Sequence, residues 1–191
     1  MMMKPLICAA LFAVTGLAQA ESATYNIDPN HTFVTFESKH FNTSTLRGRF
    51  DKKDGSVTID RAAKTGKAEI TIDVTSVDTG VPLLDKHLKS KDFFDADNNG
   101  SAKFVADKFS FNGDKISEAY GTLTMLGKTM PVTLKATNFN CYENPMLKRE
   151  TCGGDFETTI MRSQWGMDYG VAKGLPDDIH LLIQIEAIKQ Q

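Results

Sequence analysis

Hydrophobic and polar residues alternate along most of the chain in short runs separated by turn residues, the period-two signature of strands that bury one face. Within residues 32–40, Val34, Phe36, Ser38 and His40 share one side, and Phe33, Thr35, Glu37 and Lys39 share the other. Ala68, Ile70, Ile72 and Val74 likewise oppose Lys67, Glu69, Thr71 and Asp73, while Ile179, Leu181, Ile183 and Ile185 occupy one face of the last run. Residues 46–50 and 56–59 flank Asp51-Lys52-Lys53-Asp54-Gly55, and the Asp-Gly step predicts a hairpin with a somewhat long loop. Over 103–111 the apolar residues change phase between Phe104, Ala106 and Phe109, Phe111, which predicts a β-bulge or a bend near Asp107-Lys108. Residues 116–125 and 130–136 are joined by a turn at Leu126-Gly127-Lys128. Short strands at this spacing predict an antiparallel sandwich or barrel.

One long segment, residues 76–94, does not fit a strand. Leu84, His87 and Leu88 fall on one face at helical spacing, and Pro82 is tolerated in a first helical turn. Asp78 and Thr79 offer side-chain oxygens to cap the start. The segment ends in Phe93-Phe94 ahead of the loop Asp95-Ala96-Asp97-Asn98-Asn99-Gly100. A lone helix among strands lies on a sheet or plugs a barrel, so this one is expected to cover a barrel mouth.

Residues 1–20 change the picture of where the protein works. Lys4, an apolar run over 6–17 and Ala18-Gln19-Ala20 match the charged, hydrophobic and small-residue regions of a cleaved signal peptide. The run is too short to span a membrane, and an exported protein is expected, with residues 21–191 forming a single domain. Removing Lys4 leaves 21 basic against 24 acidic residues, a net charge of −3, which does not suit nucleic acid. Of the three cysteines, Cys8 lies in the leader. Cys141 and Cys152 bracket an Asn-Pro turn, and in an exported protein they are expected to form a disulfide worth on the order of 3 kcal/mol. The other reading, a redox or metal-binding pair, has no Cys-x-x-Cys and no nearby histidine behind it.

Four blocks of residues add a resemblance. They are Tyr25-x-Ile27-Asp28-x-x-His31 with Lys39-His40 and Gly48-x-Phe50; Val77-Asp78-Thr79 with Asp85-Lys86-His87-Leu88 and Asp92-Phe93-Phe94; Gly121-Thr122-Leu123-Thr124 through Leu134; and Ser163-x-Trp165-Gly166-Met167 with a final strand ending Glu186-Ala187. In order and spacing the chain resembles the YceI-like family of bacterial periplasmic polyisoprenoid-binding proteins. The resemblance implies a mainly β fold: an extended antiparallel eight-stranded lipocalin-like barrel with one or two short helices. Its lumen would hold a long isoprenoid lipid, either a polyprenyl phosphate or an isoprenoid quinone such as ubiquinone. It further implies a periplasmic carrier that transports or stores that lipid, in a family whose members are often homodimers, with no membrane span and at most transient membrane contact. The chain departs from the family's Lys-Tyr-Pro-like step after the aromatic pair, carrying Asn98-Asn99-Gly100-Ser101-Ala102 there.

Candidate wall residues are Phe36, Phe41, Phe93, Phe94, Phe104, Met125, Trp165 and Met167, joined by Leu84 and Leu88 from the helix. Plain core packing is the competing reading of each, because inward residues of small barrels normally fill them. His31, His40 and His87 match family positions and are candidates for a polar head group; otherwise they satisfy local partners, His87 with Asp85 or Asp92. The histidines at 31, 40, 87 and 180 show no short ligand spacing, so neither metal nor cofactor is expected. Nucleophile-elbow, phosphate-loop and dinucleotide motifs are missing from the sequence. Sequestration without bond chemistry is therefore expected, with an enzyme of isoprenoid metabolism, using His87 with Asp85 or Asp92, as the alternative.

Overall fold

The computed structural model describes residues 22–191, so the leader read at 1–20 lies outside the described residues. Eleven strands appear in order: β1 (Ala23–Ile27), β2 (Phe33–His40), β3 (Ser44–Phe50), β4 (Lys53–Asp60), β5 (Thr65–Asp73), β6 (Val77–Asp78), β7 (Ser101–Asn112), β8 (Lys115–Met125), β9 (Lys128–Asn144), β10 (Arg149–Met161) and β11 (Asp178–Lys189). One helix, α1 (Pro82–Lys89), lies between β6 and β7, and single 3-10 turns occur at Val74–Ser76, Arg162–Trp165 and Val171–Lys173.

The eleven strands make eight staves. β1 and β2 both pair with β11 and form one stave broken at Asp28-Pro29-Asn30. β4 pairs with β1 while β3 pairs with β2, so these two form a second stave. β5 on β4 and β6 on β3 make a third. Strands β7 to β11 follow as consecutive antiparallel neighbours, and β1 closes the ring on β11 through Tyr25 opposite Lys189 and Ile27 opposite Ala187. The result is a closed, extended eight-stranded antiparallel barrel, whose closure leaves no free edge in the ring.

The hairpin expected at residues 51–55 does not form. β3 and β4 do not pair with each other; the chain runs on through Asp51-Lys52 from one partner to the next. Asp54-Gly55 lies inside β4, where Asp54 Oδ1 accepts from Gly55 N at 2.8 Å. Gly55 has φ +152°, and a Cβ there would sit 2.2 Å from the Glu69 carbonyl oxygen. Its glycine therefore permits a kink and the close approach of β5. The reversal sits earlier, at Phe41 and Asn42, whose φ values of 48° and 57° suit a tight β2–β3 turn.

Other expectations hold. The register of β7 against β8 slips between Ala106 and Lys108, at the foreseen bulge. Cys141 and Cys152 face each other across β9 and β10, bonded, with their Cα atoms 4.0 Å apart.

Helix α1 appears where expected but is capped differently. Its N-cap is Val81, whose apolar side chain makes no capping hydrogen bond. Asp78 accepts from Gly80 N at 2.7 Å, and Asp85 Oδ1 reaches back to Thr79, accepting from its N at 2.8 Å and its Oγ1 at 2.6 Å. Gly80 adds a turn ahead of the helix, so Asp78 and Thr79 fix that turn and not the first helical N–H groups. Replacing Asp85 by Ala should cost about 1 kcal/mol, the usual loss for a capping contact, and lower the Tm by roughly 2–4 °C in a chain of this size. A melt followed by circular dichroism checks this; an unchanged Tm would show that the contact does not hold α1 down.

Candidate functional site

The last strand reveals what the inward faces enclose. Leu181, Ile183 and Ile185 of β11 point into the barrel, yet each is only half-buried. They border open space: an upper chamber of about 310 Å³ and a lower one of about 120 Å³. Val34, Ile72, Leu123 and Leu181 line both, so the chambers lie end to end along one tunnel. Phe36, Phe104, Met125 and Met167 line this space and also belong to the buried apolar cluster.

Aromatic and thioether groups make the upper wall. Phe36, Phe50 and Phe94 run in series, with ring centroids 5.8 Å and 5.6 Å apart. Gly48, directly opposite Phe36, makes room for that ring: a Cβ at 48 would lie 2.3 Å from Phe36 Cζ. Leu84 and Leu88 project from α1, and Met125 and Met167 complete adaptable surface around them.

The mouth is polar. Ser38, Lys39 and His40 at the end of β2, together with His87 and Tyr169, line the same chamber. His87 Nε2 lies 3.0 Å from Asp92 Oδ2, and its ring meets Phe93 and Tyr169 edge-on at 5.1 Å and 5.0 Å. Asp85, the other partner considered for His87, is taken up by Thr79.

Arg162 is the residue that sequence reasoning passed over. It is 5% exposed and lines the upper chamber. Nε donates to the Pro176 carbonyl at 2.9 Å, Nη1 to Met167 at 2.6 Å and Nη2 to Tyr169 at 2.9 Å, while the guanidinium sits 5.6 Å over Phe93. Burial pulls its pKa below the usual arginine value, against the pull of Asp177 and Asp168, and an arginine so placed stays charged. Ser163 is fixed in turn by Asp177, at 2.8 Å from its N and 2.6 Å from its Oγ. The available signal was position: Arg162 directly precedes the Ser163-x-Trp165-Gly166-Met167 block.

Of the candidate residues, Phe36, His40, Leu84, His87, Leu88, Phe93, Phe94, Met125 and Met167 come together around the upper chamber, and Phe104 joins the lower one. Three lie elsewhere. His31 is on the outer surface, where hydrogen bonding to Asp28 at 2.8 Å raises its pKa. Phe41 sits in the left-handed β2–β3 turn, 52% exposed, edge-on to His40 at 4.9 Å. Trp165 is packed behind the wall at 1% exposure, its Nε1 donating to the Leu123 carbonyl at 3.0 Å.

At the far end, Tyr25 lines the lower chamber, and its hydroxyl donates to Glu150 Oε2 at 2.8 Å. Arg61 Nη2 donates to the other carboxylate oxygen at 2.5 Å. Burial pushes the Tyr25 pKa up to about 12, reinforced by Glu150. Burial alone would raise Glu150 as well, but Tyr25 and Arg61 outweigh it and hold the carboxyl below its ordinary value. Among the described residues, the one cluster with metal-donor geometry is Cys141, Glu150 and Cys152. Its sulfurs are bonded to each other and its carboxylate is engaged, so it does not fit a metal ion.

A family model described as the YceI-like domain matches residues 25–187. UPF0312 proteins of Pseudomonas aeruginosa are 36% identical over 196 residues, covering 100% of both chains, and those of Pseudomonas putida are 33% identical over 183 residues, covering 94% of this chain and 93% of theirs. The crystal structure of Burkholderia cenocepacia BcnA superposes with a TM-score of 0.70 at 28% identity, covering 84% of this chain and 99% of that one. The Campylobacter jejuni YceI protein gives 0.68 at 25%, covering 80% and 90%. A polyisoprenoid-binding domain from Saccharophagus degradans shares the fold, with a TM-score of 0.62 at 15% identity over 87% of this chain and 98% of that one.

The end cluster gives a pH signature. Glu150, with its folded pKa lowered, stabilises fully above the ordinary value of 4.5, and this is lost as pH falls through the lower folded value. Tyr25, raised, stabilises below its ordinary value of 10.0, and this is lost as pH rises towards about 12. Urea midpoints measured across pH should therefore drop on both flanks in the native protein. Tyr25→Phe should flatten the alkaline flank between those two values; equal alkaline losses in both proteins would show the hydroxyl is not held as described.

Proposed function

The chain belongs to the YceI-like family, and from that premise we propose that it is a carrier that holds an isoprenoid lipid, a polyprenyl phosphate or an isoprenoid quinone, non-covalently in its tunnel. The supporting observation is the pair of apolar chambers in line beneath a polar mouth. A flexible hydrocarbon gains roughly 0.8 kcal/mol for each CH₂ removed from water, and a long tunnel lets one chain collect that gain many times over. The polyisoprenoid-binding domain of Saccharophagus degradans has the same architecture. Ser38, Lys39, His40 and His87 would meet the head group, with Arg162 supplying a fixed positive charge beneath them.

The signal-peptide pattern of residues 1–20 supports a periplasmic setting, in which a prenyl lipid needs shielding between membranes. No helix among the described residues is long and apolar enough to cross a membrane. Transient contact is part of the proposal: Phe41 and Tyr169 are exposed beside His40 and His87 at the mouth. The homodimer implied by the resemblance enters as a further expectation, checked by light scattering of the loaded protein.

The test is mass spectrometry of an organic extract of the protein purified without added lipid. An intact prenyl lipid is expected. A converted product would instead favour His87 with Asp92 as an acid–base pair, and an empty extract with no binding on titration would end the carrier reading. Phe36→Trp and Phe94→Trp should each reduce loading by about fivefold or more, because overfilling the narrow wall costs roughly 1–3 kcal/mol; undiminished loading in both would mean the lipid lies elsewhere.

A further inference from the structure

We infer that the Tyr25–Glu150–Arg61 cluster is the floor of the tunnel and sets the longest isoprenoid tail the barrel accepts, an inference that rests on the carrier reading above. The inward direction of these side chains follows from strand alternation. Tyr25 shares its face of β1 with Ile27, and Glu150 shares its face of β10 with Cys152 and Phe156, both of which line the lower chamber. β1 and β10 are not neighbours; β11 lies between them. The 2.8 Å bond from Tyr25 to Glu150 therefore reaches over β11 at the end of the lumen, and Arg61, in the turn after β4, anchors the carboxylate from a third stave.

The chemistry suits a stop. Tyr25 is 2% exposed and presents its ring to the chamber while its hydroxyl is held outward by Glu150. A tail that pushed past the ring would have to separate a buried phenol from its carboxylate partner and disturb the half-exposed Arg61 ion pair that holds that carboxylate. The Cys141–Cys152 disulfide sits beside the same carboxylate and ties β9 to β10 at this end, so the floor is braced against spreading.

Floor and mouth together define a length. Ile179 in the upper chamber and Ala187 in the lower lie eight residues apart on β11, about 26 Å along a strand. With strands tilted by about 40°, that is roughly 20 Å along the axis, matching an extended geranylgeranyl tail. Isoprene repeats that fit add apolar burial; those beyond the floor must leave their carbons, or the head group, in water.

The experiment titrates prenyl monophosphates from geranyl through farnesyl, geranylgeranyl, hexaprenyl and undecaprenyl against the full-length mature protein. Affinity is expected to rise by roughly tenfold or more for each repeat up to about the geranylgeranyl length and then to stop rising. Tyr25→Ala should move that plateau to a longer tail, and Ala119→Leu, which fills the lower chamber, should move it to a shorter one. If Tyr25→Ala does not fold, the Ala119→Leu shift and the native plateau still decide the matter. Binding that climbs through undecaprenyl without a plateau, or a plateau unmoved in the folded variants, overturns the floor while leaving the carrier standing. No binding at any length overturns the carrier itself.

Discussion

The closure of β1 on β11 is what the tunnel depends on. An ordinary core holds its walls apart by filling the space between them, at a density close to that of an organic crystal. Here Leu181, Ile183 and Ile185 face open lumen and lack packing partners on one side, so dispersion contacts are forfeited along that face. A ring of eight antiparallel staves resists collapse because the ladders that close it commit backbone donors and acceptors to both neighbours, and narrowing the lumen would mean breaking ladders. The hollow is therefore maintained by the backbone, which frees the inward side chains to be chosen for what enters.

The two ends solve opposite problems with similar means. At the mouth, loops must stay open yet fixed, and polar side chains bind backbone to do it: Asp85 to Thr79, Arg162 to three carbonyls, Asp177 to Ser163. At the other end, staves must be drawn together, and Glu150 takes donors from two other elements. Hydrogen bonds that involve an ionised partner are the stronger kind, and they are placed where the β-ladder gives out. The middle of the barrel, where the ladder is continuous, is almost purely apolar on its inner face.

That division explains what could be read from the sequence. Alternation at 32–40, 68–74 and 179–185 placed inward faces correctly, because a stave bordering a hollow needs the same apolar side as one facing a core. The phase change at Asp107-Lys108 marked a real bulge. Asp54-Gly55 misled because the pair that permits a hairpin turn also permits a kink, and only tertiary pairing distinguishes them. His31 and Trp165 carried motif identity without facing the lumen: one secures a turn with Asp28, the other buries itself against Leu123. Tyr25, Glu150 and Arg61 are separated by up to 125 positions, and no local pattern announces that they meet.

Arg162 shows how the apolar and polar regions are joined. A buried cation with no carboxylate in contact is costly, and here three carbonyls and the face of Phe93 offset that cost. Those carbonyls belong to the segment from Met167 to Pro176, so the charge and the rim of the mouth are one structure: moving the loop exposes the cation, and neutralising the cation frees the loop. Arg162 shares its chamber with Lys39, His40 and His87, and the rest of that lining is mostly apolar wall that offers nothing to a charged group. On the carrier reading, a ligand with an apolar tail and an electron-rich head would enter tail first and leave its head near these polar groups. The buried charge in the upper wall, tied down by the rim, would then tell one end of such a ligand from the other.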